Sequence, residues 1–416
     1  MCLKVKATKL KGTVIVPPSK SDGQRALLAA ALSVGISTIS GLGASDDERA
    51  MLRNIQVLGA KVTRKTDGNL AVTGIDSFPV KLVLNIGESG LGLRLLSGVC
   101  ATQKGVHKIS GTGSILKRDQ SFFEQNLNKY GANVSAEKGK LPLVFKGAID
   151  QYIIEVDGSQ SSQYVSGLLM GLALNKEVSQ LNVRNLKSGP YVDMTINTMA
   201  QFGVHVAHSK HQVFKLCAEE SFCSTSYNVE SDWSSASYWL VAAAIGADIT
   251  VSGLNFNSKQ ADIQFLDALK LTGCEIEKVS EGINVKPENL KAFSFDATNC
   301  PDLFPALVVL AAKCKGTTVL KGVSRLANKE SDRGVVLQQE FGKLGVKIEL
   351  DKDEMTIEGG SILNSGVVSS HQDHRIAMSL AILGTTIEGG IEIKNPETIS
   401  KSYPQFWEHL EQLSAG

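Results

Sequence analysis

Residues that can bind anions occur in short polar clusters along this chain of 416 residues. The first cluster combines Lys20 and Arg25 with the hydroxyl groups of Ser19 and Ser21, and an apolar run follows it. At a helix N-terminus, free backbone N–H groups and the helix dipole strengthen the attraction of such side chains for a carboxylate or a phosphate group. The cluster therefore predicts a site for a small anion, against the alternative of an ordinary solvated helix start.

A second group of residues has the types that acid–base chemistry needs. Asp302 opens one apolar run, and Lys329 and Glu330 belong to a run of five polar residues. Carboxylate and ammonium groups in mixed environments can have their pKa values pushed apart, so that one acts as a base and another as an acid. The sequence has no Walker loop, dinucleotide fingerprint, nucleophile elbow or metal-binding triad. These residues therefore predict proton transfer without a metal or a cofactor, although such a run seen alone is more typical of an exposed helix start.

The same design of a polar cluster followed by an apolar, small-residue-rich run occurs six times. The clusters are Ser19-Lys20-Ser21, Glu88-Ser89-Gly90, Ser161-Ser162-Gln163, Ser234-Ser235, Pro301-Asp302 and Asp373-His374-Arg375. A run that is apolar on every side predicts a buried helix. The six runs end at Gly35, Gly105, Asn175, Gly246, Gly316 and Gly384, which lie 68 to 71 residues apart. The chain is therefore an internal repeat with a period of about 70 residues.

Amphipathic helices that close on a glycine recur in phase with the buried ones. Their ends are Leu58-Gly59, Tyr130-Gly131, Phe202-Gly203, Thr272-Gly273 and Leu344-Gly345. Ser45 with Glu48, and Ser121 with Glu124, have the spacing of capping boxes. A chain of this length rarely folds around a single hydrophobic core, so the six repeats divide most simply into two domains of three repeats each. Parallel buried helices would bring their N-termini to one face of each domain, and two opposed faces would form a cationic cleft.

Composition and charge exclude several classes of function. The formal net charge is +1, which argues against nucleic acid as a partner. No apolar run approaches the length of a membrane span, and the first residues lack a signal-peptide region, so we expect a cytoplasmic protein without membrane contact. The seven cysteines show no CxxC pair. His205, His208 and His211 alternate with apolar residues, which favours a solvated strand and turn over a metal site.

Across most of its length the chain resembles the EPSP synthase family. The motifs that carry the resemblance are Pro18-Ser19-Lys20-Ser21 with Arg25, Ser161-Ser162-Gln163, Pro190-Tyr191-Val192-Asp193-Met194-Thr195, Ser234-Ser235-Ala236-Ser237-Tyr238, Pro301-Asp302, Lys329-Glu330-Ser331-Asp332-Arg333, Asp373-His374-Arg375-Ile376-Ala377-Met378 and Lys401-Ser402-Tyr403-Pro404. Because so many motifs occur in one order, the resemblance is specific.

The resemblance implies a fold and a reaction. The fold is a two-domain inside-out α/β barrel of six βαβαββ repeats, with residues 1–17 and 227–416 in one domain, residues 18–226 in the other, and the active site in the cleft between them. The reaction transfers the enolpyruvyl group of phosphoenolpyruvate to the 5-hydroxyl of 3-phosphoshikimate, releases phosphate and belongs to the shikimate pathway. The resemblance further implies a monomer that needs no cofactor, and glyphosate as a competitor of phosphoenolpyruvate.

The resemblance also implies roles for individual residues. The ligands of 3-phosphoshikimate would be Lys20, Ser21, Arg25, Ser161, Ser162, Ser188, Asp302 and Lys329. The ligands of phosphoenolpyruvate would be Lys20, Gly90, Arg94, Arg118, Gln163, Arg333, His374, Arg375 and Lys401. The catalytic residues would be Lys20, Asp302, Lys329 and Glu330, with Asp302 accepting the hydroxyl proton and the other acid–base groups serving the methylene carbon.

The departures from the family pattern lie mainly in the second repeat. Glu88 and Leu91 stand in a motif that usually reads Gly-Asn-Ala/Ser-Gly-Thr, Ser114 stands where arginine is frequent, and Asp119 follows Arg118 in place of proline. A carboxylate about 4 Å from a substrate anion would cost about 4 kcal/mol at an effective dielectric constant near 20. We therefore expect a raised KM for phosphoenolpyruvate, which Glu88→Asn would lower.

Two other functions remain open on the sequence. One is transfer of the same group to UDP-N-acetylglucosamine. Lys20-Ser21 and Asp373-His374-Arg375 favour the shikimate substrate, because the family that uses the sugar nucleotide typically has a Lys-Asn pair and a cysteine-bearing loop at these positions. The other is a non-catalytic anion-binding paralogue, which the presence of Asp302, Lys329 and Glu330 disfavours.

Overall fold

A computed structural model describes residues 2–151, 153–174 and 180–415 of the chain. The last residue of the third apolar run, Asn175, lies outside these ranges. Within them the chain forms twelve α-helices, α1 (Lys20–Leu32), α2 (Asp46–Leu58), α3 (Gly90–Ala101), α4 (Phe122–Leu127), α5 (Ser162–Leu172), α6 (Gly189–Gln201), α7 (Trp233–Ala244), α8 (Phe265–Leu271), α9 (Phe304–Lys313), α10 (Arg333–Lys343), α11 (His374–Gly384) and α12 (Phe406–Ala415). None of these helices combines the length and the apolar composition that a membrane span requires.

The strands are short and lie between the helices. The described residues form β1 (Cys2–Val5), β2 (Lys11–Ile15), β3 (Ile36–Ser40), β4 (Lys61–Arg64), β5 (Leu70–Thr73), β6 (Lys81–Asn85), β7 (Val106–Ser110), β8 (Val134–Glu137), β9 (Lys140–Phe145), β10 (Ile153–Asp157), β11 (Gln180–Arg184), β12 (Val206–Ser209), β13 (Val213–Leu216), β14 (Ser226–Asn228), β15 (Asp248–Ser252), β16 (Glu275–Val279), β17 (Gly282–Lys286), β18 (Ser294–Asp296), β19 (Gly316–Lys321), β20 (Lys347–Asp351), β21 (Glu354–Gly359), β22 (Gly366–Ser369) and β23 (Ile391–Lys394).

The chain divides into two compact units. Unit 1 comprises Met1–Pro17 and Ser231–Gly416, and unit 2 comprises Pro18–Glu230. The sequence-based boundary at residue 227 would cut through β14. That strand pairs in parallel with β3 of unit 2, so the chain leaves unit 2 only after β14 has been added to the sheet.

Each of the three sheets of unit 2 has one parallel pair followed by two antiparallel pairs. The strand orders are β14-β3-β5-β4, β6-β7-β9-β8 and β10-β11-β13-β12. In the second sheet, β6 and β7 are parallel and α3 connects them, which makes a βαβ crossover. In the first sheet, the strand parallel to β3 is β14, which comes from the far end of the unit. The first repeat of unit 2 is therefore completed by residues about 190 positions later in the chain.

Two sheets of unit 1 follow the same plan, the third has three strands with one parallel and one antiparallel pair, and the N-terminal segment supplies a strand to two of the three. Their orders are β16-β17-β15-β2, β18-β19-β21-β20 and β1-β23-β22. Strand β2 is parallel to β15, and β1 is antiparallel to β23. The first strands of the chain therefore belong to two different repeats of unit 1, which explains why the chain begins in this unit.

The apolar helices form the interior of each unit, as their composition predicts. In unit 2 the buried helices are α1, α3 and α5, and in unit 1 they are α7, α9 and α11. Helices α3 and α5 approach so closely that a Cβ on Gly98 would overlap the backbone of Gly167. With helices inside and twisted sheets around them, each unit has an inside-out α/β arrangement.

The amphipathic helices are less regular than their glycine stops predict. Helix α2 starts with the expected capping box, because Ser45 accepts from the Glu48 N–H while the Glu48 carboxylate accepts from the Ser45 N–H. Helix α4 has no such cap, since the Ser121 hydroxyl donates to Asp119 instead. It ends at Leu127, and a 3-10 turn continues to Tyr130. The predicted capping box at Ser121 is therefore wrong.

Candidate active-site residues of the two units

Three predicted phosphoenolpyruvate ligands of unit 2 meet around Gly90 at the start of α3. A Cβ placed on Gly90 would lie 2.9 Å from Nη1 of Arg94, 3.1 Å from Nη1 of Arg118 and 3.9 Å from Oε1 of Gln163. Nη1 of Arg94 donates to the Gly90 carbonyl at 2.9 Å, and its guanidinium stacks 5.4 Å from the ring centre of Tyr164. Gly90 is therefore packed closely by two guanidinium groups and an amide, whose N–H donors are of the type that binds a small carboxylate or phosphate.

Arg25 connects the starts of two helices in unit 2. Its guanidinium donates to the Thr195 hydroxyl at 2.7 Å, to the Ser21 carbonyl at 2.7 Å and to the Tyr191 carbonyl at 3.0 Å. These bonds use three of its five N–H groups. Burial lowers the pKa of Arg25 to about 10, with partial compensation by Asp22, so the group stays charged at neutral pH. Arg25 thus holds α6 against α1 with its charge balanced mainly by neutral oxygen atoms.

The remaining predicted residues of unit 2 lie at helix starts. Ser161 caps α5 by accepting from the Gln163 N–H at 3.3 Å, and Ser162 is buried in the first turn. Ser188 is the N-cap of α6 and has a positive φ of 57°. Lys20 forms an ion pair of 3.1 Å with Asp47, which the sequence did not identify as a site residue. Hydroxyl groups and a lysine are therefore placed where helix N-termini favour anions.

Glu88, the main departure from the family pattern, has a hydrogen-bonding partner in the same repeat. Its Oε2 accepts from the Ser114 N–H at 3.1 Å and from the Ser114 hydroxyl at 2.8 Å. Ser114 is the second residue of a 3-10 turn, Gly113–Lys117, that ends immediately before Arg118. The two unusual residues Glu88 and Ser114 are therefore coupled, and their hydrogen bonds anchor the turn that carries Arg118.

In unit 1 the predicted acid–base residues form one ionic network centred on Asp302. Its carboxylate contacts Nη1 of Arg333 at 2.7 Å, Nζ of Lys329 at 3.1 Å and Nη2 of Arg375 at 3.1 Å. The side chains of Asp302 and Lys329 remain 21% and 24% exposed, whereas Arg333 is 1% exposed. A polar ligand can therefore reach the carboxylate and the ammonium, while the guanidinium of Arg333 lies beneath them.

Arg333 connects Asp302 to two further carboxylates, those of Glu330 and Asp373. Its Nη2 contacts Glu330 at 2.5 Å, and its Nε contacts Asp373 at 2.8 Å. Asp373 also caps α11 by accepting from the Arg375 N–H. Lys401 reaches Glu330 at 3.6 Å, and His374 is buried beside Asp373. The predicted residues of unit 1 thus come together through charge pairs.

The network shifts the proton affinities of its members in opposite directions. Burial alone would raise the pKa of Asp302, but Arg375, Lys329 and Arg333 outweigh burial and hold that pKa well below its usual range. Burial lowers the pKa of Lys329, although Asp302 opposes the shift. Asp302 is therefore an ionised hydrogen-bond acceptor at neutral pH, and Lys329 gives up its proton more readily than an ordinary lysine.

Some charged neighbours of the site were not predicted from the sequence. The hydroxyl of Ser234 donates to buried Asp262, and burial followed by the charge of Asp302 raises the pKa of Asp262 to about 6. Asp373 stands in a motif that was recognised for His374 and Arg375, so its acidic type next to two cations was the available signal. Asp262 and Asp47 have no comparable sequence signal, because each meets its partner only through the tertiary fold.

Solved structures identify the class of protein to which this architecture belongs. The chain is similar to an EPSP synthase from Acinetobacter baumannii, with a TM-score of 0.81, 27% identity and coverage of 99% of this chain and 98% of that one. It also shares its fold with the enolpyruvyl transferase NikO from Streptomyces tendae, with a TM-score of 0.75, 14% identity and coverage of 99% and 97%. The fold is that of the enolpyruvyl transferases, as the sequence predicts.

Sequence relatives narrow the class to one family. The family model for EPSP synthase (3-phosphoshikimate 1-carboxyvinyltransferase) matches residues 5–410. A 3-phosphoshikimate 1-carboxyvinyltransferase from Clostridium botulinum is 34% identical over 99% of this chain and 96% of its own length. One from Clostridioides difficile is 35% identical over 99% and 97%. The chain therefore belongs to the EPSP synthase family.

Proposed function

We propose that the chain transfers the enolpyruvyl group of phosphoenolpyruvate to the 5-hydroxyl of 3-phosphoshikimate, giving 5-enolpyruvylshikimate 3-phosphate and phosphate. The observation that carries the proposal is the network of unit 1, in which Asp302 touches Lys329, Arg333 and Arg375. Such a network combines an ionised acceptor, an ammonium of lowered pKa and two guanidinium groups. Addition to and elimination from a phosphorylated carbon need these three functions.

In the addition step, the oxygen of the substrate hydroxyl forms a bond to C2 of phosphoenolpyruvate while C3 gains a proton. Asp302 accepts the hydrogen bond of that hydroxyl and receives its proton as the C–O bond forms. Lys329 and Glu330 supply the proton for C3, which becomes a methyl group. Proton delivery to C3 makes C2 electrophilic, so it lowers the barrier to attack by a neutral hydroxyl.

In the elimination step, the bond between C2 and the phosphate oxygen breaks, and one methyl proton leaves C3 to restore the double bond. Phosphate departs with the electrons of the broken bond and carries away the proton that Asp302 received from the hydroxyl. We assign to Arg333 and Arg375 the stabilisation of the negative charge that develops on the leaving group, with Arg333 acting from beneath the carboxylates that it contacts. Glu330 takes back the C3 proton, and its contacts with Arg333 and Lys401 keep its carboxylate in position.

The residues of unit 2 are proposed to bind the anionic groups of the substrates. We assign the carboxylate and the phosphate of 3-phosphoshikimate to Ser21, Arg25, Ser161, Ser162 and Ser188, with Lys20 shared between both substrates. For phosphoenolpyruvate we propose Gly90, Arg94, Arg118 and Gln163 of unit 2, with Lys20, and separately Arg333, His374, Arg375 and Lys401 of unit 1. The assignment is supported by the convergence of Arg94, Arg118 and Gln163 beside the missing side chain of Gly90.

Phosphate release from phosphoenolpyruvate tests the proposal, with 3-phosphoshikimate and UDP-N-acetylglucosamine offered in parallel. We expect release with 3-phosphoshikimate alone and its loss in Glu330→Gln. Glu349→Gln is the matched control, because Glu349 is an exposed carboxylate of the same unit that pairs with Lys347. Release with the sugar nucleotide would transfer the assignment to that substrate. No release with either, despite calorimetric binding of 3-phosphoshikimate, would indicate a binding paralogue.

We also propose that the chain acts as a monomer in the cytoplasm. The monomer is what the resemblance to the family implies. Sedimentation velocity at micromolar concentration should give a single species near 44.4 kDa. A species of twice that mass would contradict the proposal.

A further inference from the structure

Two histidines and an aspartate of unit 2 meet outside the residues assigned to the reaction. Nε2 of His211 lies 2.7 Å from Oδ1 of Asp193, and Nε2 of His208 lies 3.7 Å from the same oxygen. One ligand atom of each residue lies within 4.8 Å of those of the other two. The sequence analysis interpreted these histidines as a solvated strand and turn, and it did not include Asp193 because that residue belongs to a distant helix.

The local fold explains how the three side chains come together. His208 lies on β12, and His211 lies in the tight turn to β13, where Lys210 and His211 have φ values of 48° and 56°. This left-handed turn folds the imidazole of His211 back toward the start of α6, where a Cβ on Gly189 would lie 3.4 Å from the ring. Asp193 projects from the second turn of α6. A hairpin and a helix therefore supply the donors.

The aromatic surroundings hold the two imidazole rings side by side. The rings of His208 and His211 are stacked, with centres 4.5 Å apart and an angle of 24° between their planes. Phe214 lies 5.5 Å from the ring of His208. The three polar side chains are only about one-third exposed, at 30% for His208, 29% for His211 and 33% for Asp193. Donors that are partly buried and already adjacent lose little conformational entropy when they bind an ion.

We propose that Asp193, His208 and His211 bind a divalent transition metal ion of the zinc type. Two imidazole nitrogens and one carboxylate oxygen are a ligand set that Zn²⁺ and Co²⁺ accept, with water in the remaining position. Ligand atoms about 2.0 Å from a tetrahedral ion lie about 3.3 Å from one another. The two histidine nitrogens lie 2.7 Å and 3.7 Å from Oδ1 of Asp193, on either side of that spacing. The proposal does not depend on the reaction assigned above, because none of the three residues has a role in it.

Metal binding would join the β12–β13 hairpin to α6. An ion that binds only the folded form stabilises it by mass action, so excess metal should raise the thermal midpoint of unfolding. A simple histidine–carboxylate hydrogen bond, which is the alternative reading of the 2.7 Å contact, predicts no such dependence on metal. The two readings therefore differ in a measurable way.

The test is titration of the full-length, chelator-treated chain with Zn²⁺ by calorimetry and with Co²⁺ by absorption spectroscopy, without substrates. We expect one ion per chain and visible d–d bands typical of nitrogen and oxygen ligands. His208→Gln, His211→Gln and Asp193→Asn should each weaken binding by at least about tenfold, the loss that removal of even an outer-shell partner commonly causes. Circular dichroism of each variant checks that it is folded.

The chain offers a matched control and a distinct competing result. His205 comes just before the same hairpin and pairs with Glu220 at 3.1 Å, so His205→Gln should bind metal like the parent chain. Cys217 and Cys223 are exposed thiols of unit 2, and cobalt bound to them would give strong thiolate charge-transfer bands. Those bands, an absence of one-to-one binding, or undiminished binding in both His208→Gln and His211→Gln would overturn the proposal.

Discussion

The cations of the two units are balanced in different ways. In unit 1, Arg333 contacts three carboxylates, those of Asp302, Glu330 and Asp373. In unit 2, Arg25 donates to a hydroxyl and two carbonyls, and Arg94 donates to a carbonyl and stacks on an aromatic ring. The charge of Arg333 is therefore balanced by carboxylates, whereas Arg25 and Arg94 contact mainly neutral oxygen atoms and an aromatic ring. Lys20, paired with Asp47, is an exception in unit 2.

The two units also differ in the residues that cap their buried helices and in the surroundings of Asp302 and Asp22. Serine caps α1, α3 and α5 of unit 2, while aspartate caps α7 and α11 of unit 1. Asp302 is surrounded by cations and its pKa is held low, but burial raises the pKa of Asp22 in unit 2 to about 6, despite hydrogen bonds from Tyr227 and the Glu230 N–H. The serine caps place no negative charge at these helix starts of unit 2, which favours anionic ligands there. The low carboxylate pKa is specific to Asp302, because burial also raises the pKa of Asp262 in unit 1 to about 6.

The largest effect should follow from neutralising Asp302. Asp302→Asn keeps the shape of the side chain but removes the acceptor for the hydroxyl proton, so kcat should fall by about a hundred-fold to ten-thousand-fold. Steady-state phosphate release measures the change. Asp351→Asn, at the exposed end of β20, is the control. A fall of less than tenfold for Asp302→Asn would show that unit 1 does not depend on this carboxylate for chemistry.

The pH dependence of stability should expose the contrast between the two carboxylates. The pKa of Asp22 is 3.8 in the reference state and about 6 in the folded chain, so protons bind the folded form more tightly. The resulting stabilisation is complete below pH 3.8 and is lost as the pH rises through 6, a change of about 3 kcal/mol. For Asp302, whose pKa is lowered, the stabilisation is instead lost in acid as the pH falls through the folded pKa.

Denaturant unfolding of the parent chain and of Asp22→Asn between pH 4 and 7 measures the contribution of Asp22 to the free energy of unfolding. The difference in unfolding free energy isolates Asp22, because every other titrating group is shared. We expect the advantage of the parent chain over the variant to shrink as the pH rises. An advantage that grows with pH would mean that the bonds from Tyr227 and Glu230 outweigh burial.

A methyl group at Gly90 should disturb anion binding in unit 2 with little effect on stability. The added Cβ would lie 2.9 Å from Nη1 of Arg94 and 3.1 Å from Nη1 of Arg118, so both guanidinium groups must move. We expect Gly90→Ala to raise the KM for phosphoenolpyruvate about tenfold, the effect of losing about 1.4 kcal/mol of binding. Gly342→Ala is the control, because a Cβ on this exposed helical glycine meets no atom within 4 Å. Equal kinetics for both variants would contradict the proposed role of Gly90.

The smallest expected effect concerns the charge of Glu88. Glu88→Gln keeps an oxygen that can accept from Ser114, so it separates the charge from the hydrogen bonds. The KM for phosphoenolpyruvate should fall about threefold, as Coulomb's law gives for unit charges about 7 Å apart in a water-like dielectric. In Glu88→Asn the side chain is too short to keep the hydrogen bonds from Ser114, so the KM for phosphoenolpyruvate should fall by a smaller factor. A higher KM in Glu88→Gln would show that the negative charge assists binding through the turn before Arg118.

The buried helices could be predicted because their signals are local. Five of the six apolar runs follow a residue whose side chain caps the helix, α9 being the exception, and the structure places all six helices in the cores. The period of about 70 residues also follows from spacing alone. The specific pairings of β14 with β3 and of β2 with β15 have no local signal, since each strand pairs with residues about 190 or more positions away. The resemblance implied only that residues 1–17 belong with the later half of the chain.

In the candidate site too, residues in local motifs could be predicted from the sequence, whereas their partners in the tertiary fold could not. Asp302, Lys329 and Arg333 carry recognisable motifs, and the structure brings them together. The partnership of Glu88 with Ser114 was not predicted, although both residues were noticed as departures, because a hydrogen bond across 26 residues has no sequence pattern. Asp193 was missed for the same reason.

Deuterium exchange into the methylene group of phosphoenolpyruvate tests the division of roles most directly. In D₂O with 3-phosphoshikimate, the parent chain should introduce deuterium at C3 through the acid–base groups of unit 1. Glu330→Gln should lose the exchange while its calorimetric affinity for 3-phosphoshikimate stays unchanged. Exchange that persists at the parent rate in this variant would contradict the assignment of proton transfer to the Asp302 network.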